Sequence, residues 1–205
     1  STPRAISGSG FAGATLQKTW TGDSTGARHL RGTCRAVETT FGNPTFEEDC
    51  GPDGDPSTSA DDGLRADFTY PTRSEATPSW LIRLPREKVE TGPDGTVLSD
   101  TTWAYDGLAV GVAPVKGLLT EQQQAVSLSP SPVWATEQWT YDAFGNPKTY
   151  KNPNRVVLGS GLETLKLFYE TGFNSFPTQA KNALGHNTYF RLDSSTGEVL
   201  KRLDS

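Results

Sequence analysis

The chain has 205 residues and a formal net charge of −5, with 19 Lys and Arg against 24 Asp and Glu. Its cations are scattered along the sequence, so no footprint for a phosphate backbone or an anionic lipid is visible, and nucleic acid and membrane insertion are excluded as expectations. No apolar run approaches the roughly 20 residues that span a bilayer. Hydrophobic residues make up 34% of the chain beside 21 glycines and 14 prolines, which places the apolar material in short segments between many turns and points to an all-β protein. The sequence opens at Ser1 and holds no Met, from which we expect a polypeptide processed or excised from something larger.

Residues 1–32 read as an N-terminal extended or edge segment, small and polar as far as Gly10, loosely alternating from Phe11 to Trp20, with a turn at Gly22–Gly26. Residues 33–205 read as a β-hairpin region. Its first hairpin runs from Ala36 to Glu47 and reverses at Gly42 and Asn43, which brings Cys34 and Cys50 nearly opposite each other. Paired Cβ atoms on facing strands lie roughly 4.5–5.5 Å apart, so a cross-strand disulfide is expected, and with it an oxidising compartment. A slip by one residue would instead leave two separate thiols. Residues 51–63 carry no apolar side chain larger than Ala and read as an exposed acidic loop.

Strand signals return at Arg65–Tyr70, Trp80–Leu84 and Glu87–Thr91; Gly92–Gly95 is a turn, and Thr96–Tyr105 the return strand. Leu118–Val126 has the best intrinsic helix propensity in the chain, but its position between two hairpins favours a strand. Trp139–Tyr141 ascends into the turn Asp142–Asn146 and returns through Pro147–Tyr150. Two more hairpins follow, from Glu163–Tyr169 through Pro177 and from Asn182 to Leu203. The sum is a set of successive antiparallel hairpins forming one continuous curved sheet.

Three of these turns share wording: Phe41-Gly42-Asn43-Pro44, Phe144-Gly145-Asn146-Pro147 and Leu184-Gly185-His186-Asn187. The second sits within Tyr141-Asp142-Ala143-Phe144-Gly145-Asn146, and the third within a phrase from Phe176 to Tyr189 followed by Asp193-Ser194-Ser195-Thr196-Gly197. These motifs resemble the Rhs/YD-repeat family, in particular the middle region of the B components of insecticidal toxin complexes and of the Salmonella virulence plasmid B proteins. The similarity spans about Thr33 to Leu203. Residues 51–63 and 127–132 depart from it, and Tyr105-Asp106 is followed by Gly107 without a Gly-Asn pair. The resemblance implies a sheet wound into a shell around a toxin polypeptide. Its implied partners are the remainder of such a shell or identical copies, and its repeat-turn residues are Gly42, Asn43, Tyr141, Asp142, Gly145, Asn146, Gly185 and His186.

Enzymatic readings find little support in the sequence. Gly8-Ser9-Gly10-Phe11-Ala12-Gly13 spells a dinucleotide fingerprint, but only seven residues precede it and no helix pattern follows. Asp53, Asp55, Ser57, Ser59 and Asp61 alternate as calcium ligands do, yet Thr58 stands where the loop needs Gly and Leu64 where it needs a bidentate Glu. His29 and His186 are far apart, and the carboxylate pairs Glu47-Glu48 and Asp61-Asp62 are adjacent, so on a strand they face opposite ways. The five tryptophans read as core and inter-hairpin packing in preference to a sugar-stacking platform. We therefore expect no catalytic, cofactor or metal residues. The leading expectation is a structural segment of a secreted Rhs/YD-like assembly, and the alternative is a secreted adhesin or carbohydrate-binding β module.

Overall fold

The computed structural model describes residues 16–22, 28–38, 40–51, 63–76, 79–129, 131–159, 163–193 and 195–204. Thirteen strands form one all-antiparallel sheet in strict chain order. They are β1 (Leu16–Gly22), β2 (Arg28–Val37), β3 (Pro44–Asp49), β4 (Arg65–Thr69), β5 (Glu87–Thr91), β6 (Val97–Tyr105), β7 (Leu119–Ser127), β8 (Val133–Tyr141), β9 (Pro147–Lys151), β10 (Leu165–Tyr169), β11 (Pro177–Asn182), β12 (Asn187–Leu192) and β13 (Val199–Asp204). The sheet of hairpins expected from the sequence is thus present. It is open and uncurled: β1 and β13 have one neighbour each, and the expected roll towards a shell is not made among the described residues.

Two short helices interrupt the meander. Helix α1 (Arg73–Ala76) follows β4 and is opened by Thr72, whose N–H and hydroxyl both donate to the Glu75 carboxylate, at 2.8 and 2.6 Å. Glu75 also pairs with Arg86 at 2.8 Å, the larger of the effects that hold its carboxyl down at about 2, and this ties α1 to the approach to β5. Helix α2 (Pro153–Leu158) has Asn152 as N-cap and Pro153 in its first turn, where a missing N–H costs nothing.

The sequence signals fail in one strand. Trp80–Leu84 forms turns instead, with Trp80 in the left-handed region at φ 57° and 72% exposed. A short apolar run satisfies a strand and a packed loop equally well. Here Leu81 and Leu84 lie against Gly117 of the connection after β6, where an added Cβ would meet them at 3.4 and 3.0 Å, so the run fills space between two loops. The packing role expected for the tryptophans therefore does not extend to Trp80. Trp103 and Trp139 do engage neighbouring strands: the Trp103 indole donates to Gln122 Oε1 at 3.0 Å, and the Trp139 and Tyr150 rings sit 5.5 Å apart.

Because the described residues form a single layer, little is enclosed. Among the described residues the buried apolar side chains are Cys34, Cys50, Ala76, Ala104 and Tyr105. The register assigns strand residues to two faces, since directly opposed residues point the same way. The first face carries Trp103, Trp139, Tyr141, Tyr150 and Leu165. Three ion pairs lie within this face: Arg35 with Glu47, Lys88 with Glu90, Arg202 with Asp204. The second face carries Cys34, Phe46, Glu48 and Arg65 at one end and Lys166, Lys181, Arg191 and Lys201 at the other. Cys34 and Cys50 are joined by a disulfide, with Cα atoms 5.9 Å apart. Cys34 pairs directly with Glu48 and lies diagonally across from Cys50, whose N–H donates to Gly32 O at 3.0 Å.

Candidate functional site

The repeat-turn residues fall in two rows: Gly42, Asn43 and Tyr141 to Asn146 in the row of connections that follow the even-numbered strands, Gly185 and His186 in the opposite row, after β11. The Asp142–Asn146 turn shows the chemistry most fully. Asp142 N–H donates to Asn146 O at 3.0 Å and Gly145 N–H to Asp142 O at 3.2 Å, a three-residue loop closed by a left-handed residue, Gly145 at φ 87°. The Asp142 carboxylate accepts the N–H groups of Phe144 and Asn146, both at 2.9 Å, and the Asn146 amide at 3.0 Å. Gly42 and Gly185 hold the same left-handed position in their turns. On the opposite row, the Asn182 side chain accepts the N–H groups of Leu184 and His186 as Asp142 does those of its own turn, and the His186 side chain is exposed.

Asn43 and Asn146 do not take the positive φ that a two-residue Gly-Asn reversal would give them. Each instead donates its side-chain amide to a carbonyl on the next connection in the row, Asn43 to Ile82 O and Asn146 to Asn174 O. Trp80 and Asn174, both left-handed, shape the loops that present those carbonyls. Asn43 is only 2% exposed, as a staple between two loops requires.

Tyr141-Asp142 also proves to be one of a series. Tyr105, Tyr141 and Tyr169 end β6, β8 and β10, and each hydroxyl donates to a backbone carbonyl at or just before the start of the preceding odd strand: Pro85 O at 2.9 Å, Leu119 O at 2.7 Å and Pro147 O at 2.7 Å. Each tyrosine precedes an acid that collects loop N–H groups. Asp106 accepts from Val115, Lys116, Gly117 and Leu118, and Glu170 from Gly172, Phe173 and Ser175. Glu38 and Asp193 cap their turns in the same way after Val37 and Leu192. Tyr105-Asp106, a departure from the repeat wording, and Tyr169-Glu170 both belong to the series although neither is followed by a Gly-Asn pair. The dipeptide of an aromatic and an acid at a strand end was the available signal.

Electrostatics follow from these contacts. Burial pushes the Asp106 carboxyl up, but the four N–H donors outweigh it and hold the group below its ordinary value. Burial is likewise overcome at Glu38 by the N–H groups of Asn43, Thr40 and Phe41, and at Asp142 by Asn146 and its neighbours. Glu170 is lowered first by Ser175 and Asp193 first by the Ser195 hydroxyl. Tyr105 is pushed up to about 12, chiefly by burial. Tyr141 and Tyr169 are raised by burial and then by the charge of the preceding acid in the row, Asp106 and Asp142 respectively.

A carboxylate that serves as a general base keeps a lone pair aimed at substrate and a pKa near the working pH. These acids are instead held low and committed to backbone donors, so the row is built to brace loops. Beside it lies an open cleft of about 960 Å³ between the 106–118 connection and strands β7 and β8. Glu121, on its floor, is occupied by the amides of Gln123 and Gln138, at 2.8 and 2.9 Å. A smaller recess of about 490 Å³ on the first face is lined by Trp139, Tyr141, Tyr150, Leu165 and Leu167. Among the described residues no group of three or more His, Cys, Asp or Glu side chains is placed to hold a metal ion. No helix among them is long and apolar enough to cross a membrane. The dinucleotide spelling at Gly8–Gly13 and the calcium-like alternation at Asp53–Asp61 lie outside the described residues.

No protein-family model matches the chain, and no curated protein matches it. Among solved structures it is similar to a chain in the crystal structure of TcdB2-TccC3-Cdc42, at 10% identity and a TM-score of 0.24. That similarity covers 92% of this chain and 13% of the other, so this chain spans a small part of that chain's length.

Proposed function

We propose that the chain is a wall segment of a secreted YD-repeat-like assembly, a non-enzymatic scaffold whose hairpins are completed by further hairpins of the same kind. One observation carries this reading: among the described residues, thirteen strands stand in a single open layer whose apolar face, from Trp103 to Leu165, has no second layer to cover it. Stable domains bury such faces against another layer. The motif resemblance supports the same reading, as does the tyrosine-acid series, which braces consecutive hairpins by a device that extends indefinitely along a sheet. The disulfide fits an oxidising, extracellular setting. In a shell of this kind an enclosed toxin polypeptide is the natural cargo.

The test is the native mass and image of the secreted particle that contains this chain. A particle much larger than 22.1 kDa with the chain in its wall is expected. A freestanding monomer that leaves hydrophobic dyes dark overturns the proposal. The aromatic recess around Trp139 and Tyr150 favours a second reading, a carbohydrate-binding module, and binding on a glycan array that is lost in Trp139→Ala would select it.

A further inference from the structure

The charges of the second face are sorted by position along the sheet. Strands β3 to β7 place five acids there, Glu48, Asp67, Glu87, Asp100 and Glu121, against one cation, Arg65. Strands β9 to β13 place five cations there, Lys151, Lys166, Lys181, Arg191 and Lys201, and no acid. Between the two blocks, β8 presents Thr136, Gln138 and Thr140, all uncharged. The same division shows in the whole sequence, where 19 of the 24 acids but only 11 of the 19 Lys and Arg precede Pro147.

Both blocks are self-repelling. Lys166 stands directly opposite Lys181, and Arg191 directly opposite Lys201, an arrangement that weakens a strand pair. None of these four has an ion pair among the described residues; Lys166 has only the Phe168 ring, 5.6 Å away. In the acidic block Arg65 serves Glu48 and Asp67, while Glu87, Asp100 and Glu121 have no cationic partner among the described residues. Asp100 is raised by burial and by the charge of Glu87. The first face shows that this sequence pairs its ions locally where it can, as in Arg35–Glu47 and Lys88–Glu90.

We infer that the second face is the contact surface for a second copy of this chain, docked face to face about a two-fold axis that passes near β8. Under such an axis every contact occurs twice with the roles exchanged, so the acidic block of each copy covers the basic block of the other and the neutral strand meets itself. Sheets stack at about 10 Å with their strands near alignment, a separation that long Lys, Arg and Glu side chains bridge from both sides. The pairing relieves both like-charge blocks at once. It goes beyond the wall-segment reading, because it assigns the partner of the polar face and leaves the aromatic face free.

The symmetry gives a test with an internal control. Sedimentation of the wild-type chain should show a dimer whose dissociation constant rises about tenfold or more from about 50 mM to about 500 mM NaCl, as screening shortens the reach of the charges. A variant reversed at three cations of the basic block, Lys181→Glu, Arg191→Glu and Lys201→Glu, should be monomeric. So should one reversed at two acids of the acidic block, Glu87→Lys and Glu121→Lys, which leaves that block without net charge. Mixed in equal amounts, the two variants should form a heterodimer, which also establishes that both are folded. A wild-type monomer at every salt concentration overturns the inference, as does a dimer indifferent to salt, a polyanion bound without dimerisation, or two reversed variants that fail to combine while circular dichroism shows both folded. A large native particle accompanied by any of these results would remove the face-to-face contact and leave the wall-segment reading standing.

Discussion

Asp106 gathers four backbone N–H groups with one carboxylate while itself sitting at φ 60°, a conformation that Asp and Asn tolerate and most residues resist. Two costs therefore fall on Asp106→Ala: the loss of every acceptor, about 1–2 kcal/mol, and left-handed strain of about 1 kcal/mol more. Asp106→Asn keeps the backbone preference and one acceptor oxygen, so urea denaturation should rank it between wild type and Ala; equal losses would show that the carboxylate is not the brace. The same residues set the pH response. Glu38, Asp106 and Glu170 are held below their ordinary values of 4.5, 3.8 and 4.5, so their stabilisation is complete above those values and is lost as pH falls through the lower folded ones. Tyr105 and Tyr150 are displaced the other way, from 10.0 to about 12, and their contribution is complete below 10.0 and lost as pH rises towards about 12. The melting temperature should be flat between these limits and fall on both sides. A melting temperature that climbs from about pH 5 to about pH 3 would contradict the carboxylate assignment.

At the scale of the element, two turn glycines separate backbone strain from packing. Gly145 and Gly197 are both left-handed, at φ 87° and 74°, but a Cβ on Gly145 would meet nothing within 4 Å, whereas one on Gly197 would run into the Phe176 ring. Gly145→Ala should therefore cost only the strain, about 1–2 kcal/mol, and Gly197→Ala distinctly more, because the ring that joins two turns of the row must move. Equal denaturation midpoints for the two variants would refute the Phe176 contact. Glycine positions of this kind, together with period-two alternation, are why most of the hairpins were legible in the sequence: left-handed backbone selects Gly almost regardless of context. Context decided what stayed hidden. Trp80–Leu84 is as apolar as a strand and becomes a loop only because Gly117 leaves room for Leu81 and Leu84. Asp106 gathers donors nine to twelve residues away, beyond any short turn motif. The sorted charges of the second face were invisible for the same reason, since scattered lysines become neighbours only once strand register is known.

Among the described residues, strands touch only the strands adjacent in sequence, and α2 adds contacts only with β8 and β9. A fold assembled from nearest-neighbour terms behaves as a one-dimensional array, opening from its ends and propagating inward, in contrast to a globule that unfolds as one unit around a shared core. The bracing is uneven along that array. From β6 to β10 the tyrosine hydroxyls of Tyr105, Tyr141 and Tyr169 bind neighbouring hairpins, and Asn146 reaches the connection after β10. At the far end β13 is exposed along its length and has one neighbour. Native-state hydrogen exchange should therefore show protection that rises from β13 inward to a maximum across β6 to β9. Tyr141→Phe should lower that maximum locally, at β7 and β8, while leaving β12 and β13 unchanged. A single opening free energy shared by all the strands would mean that some cooperative unit larger than the hairpin holds this sheet together, and the account of its stability as a chain of braced neighbours would fail.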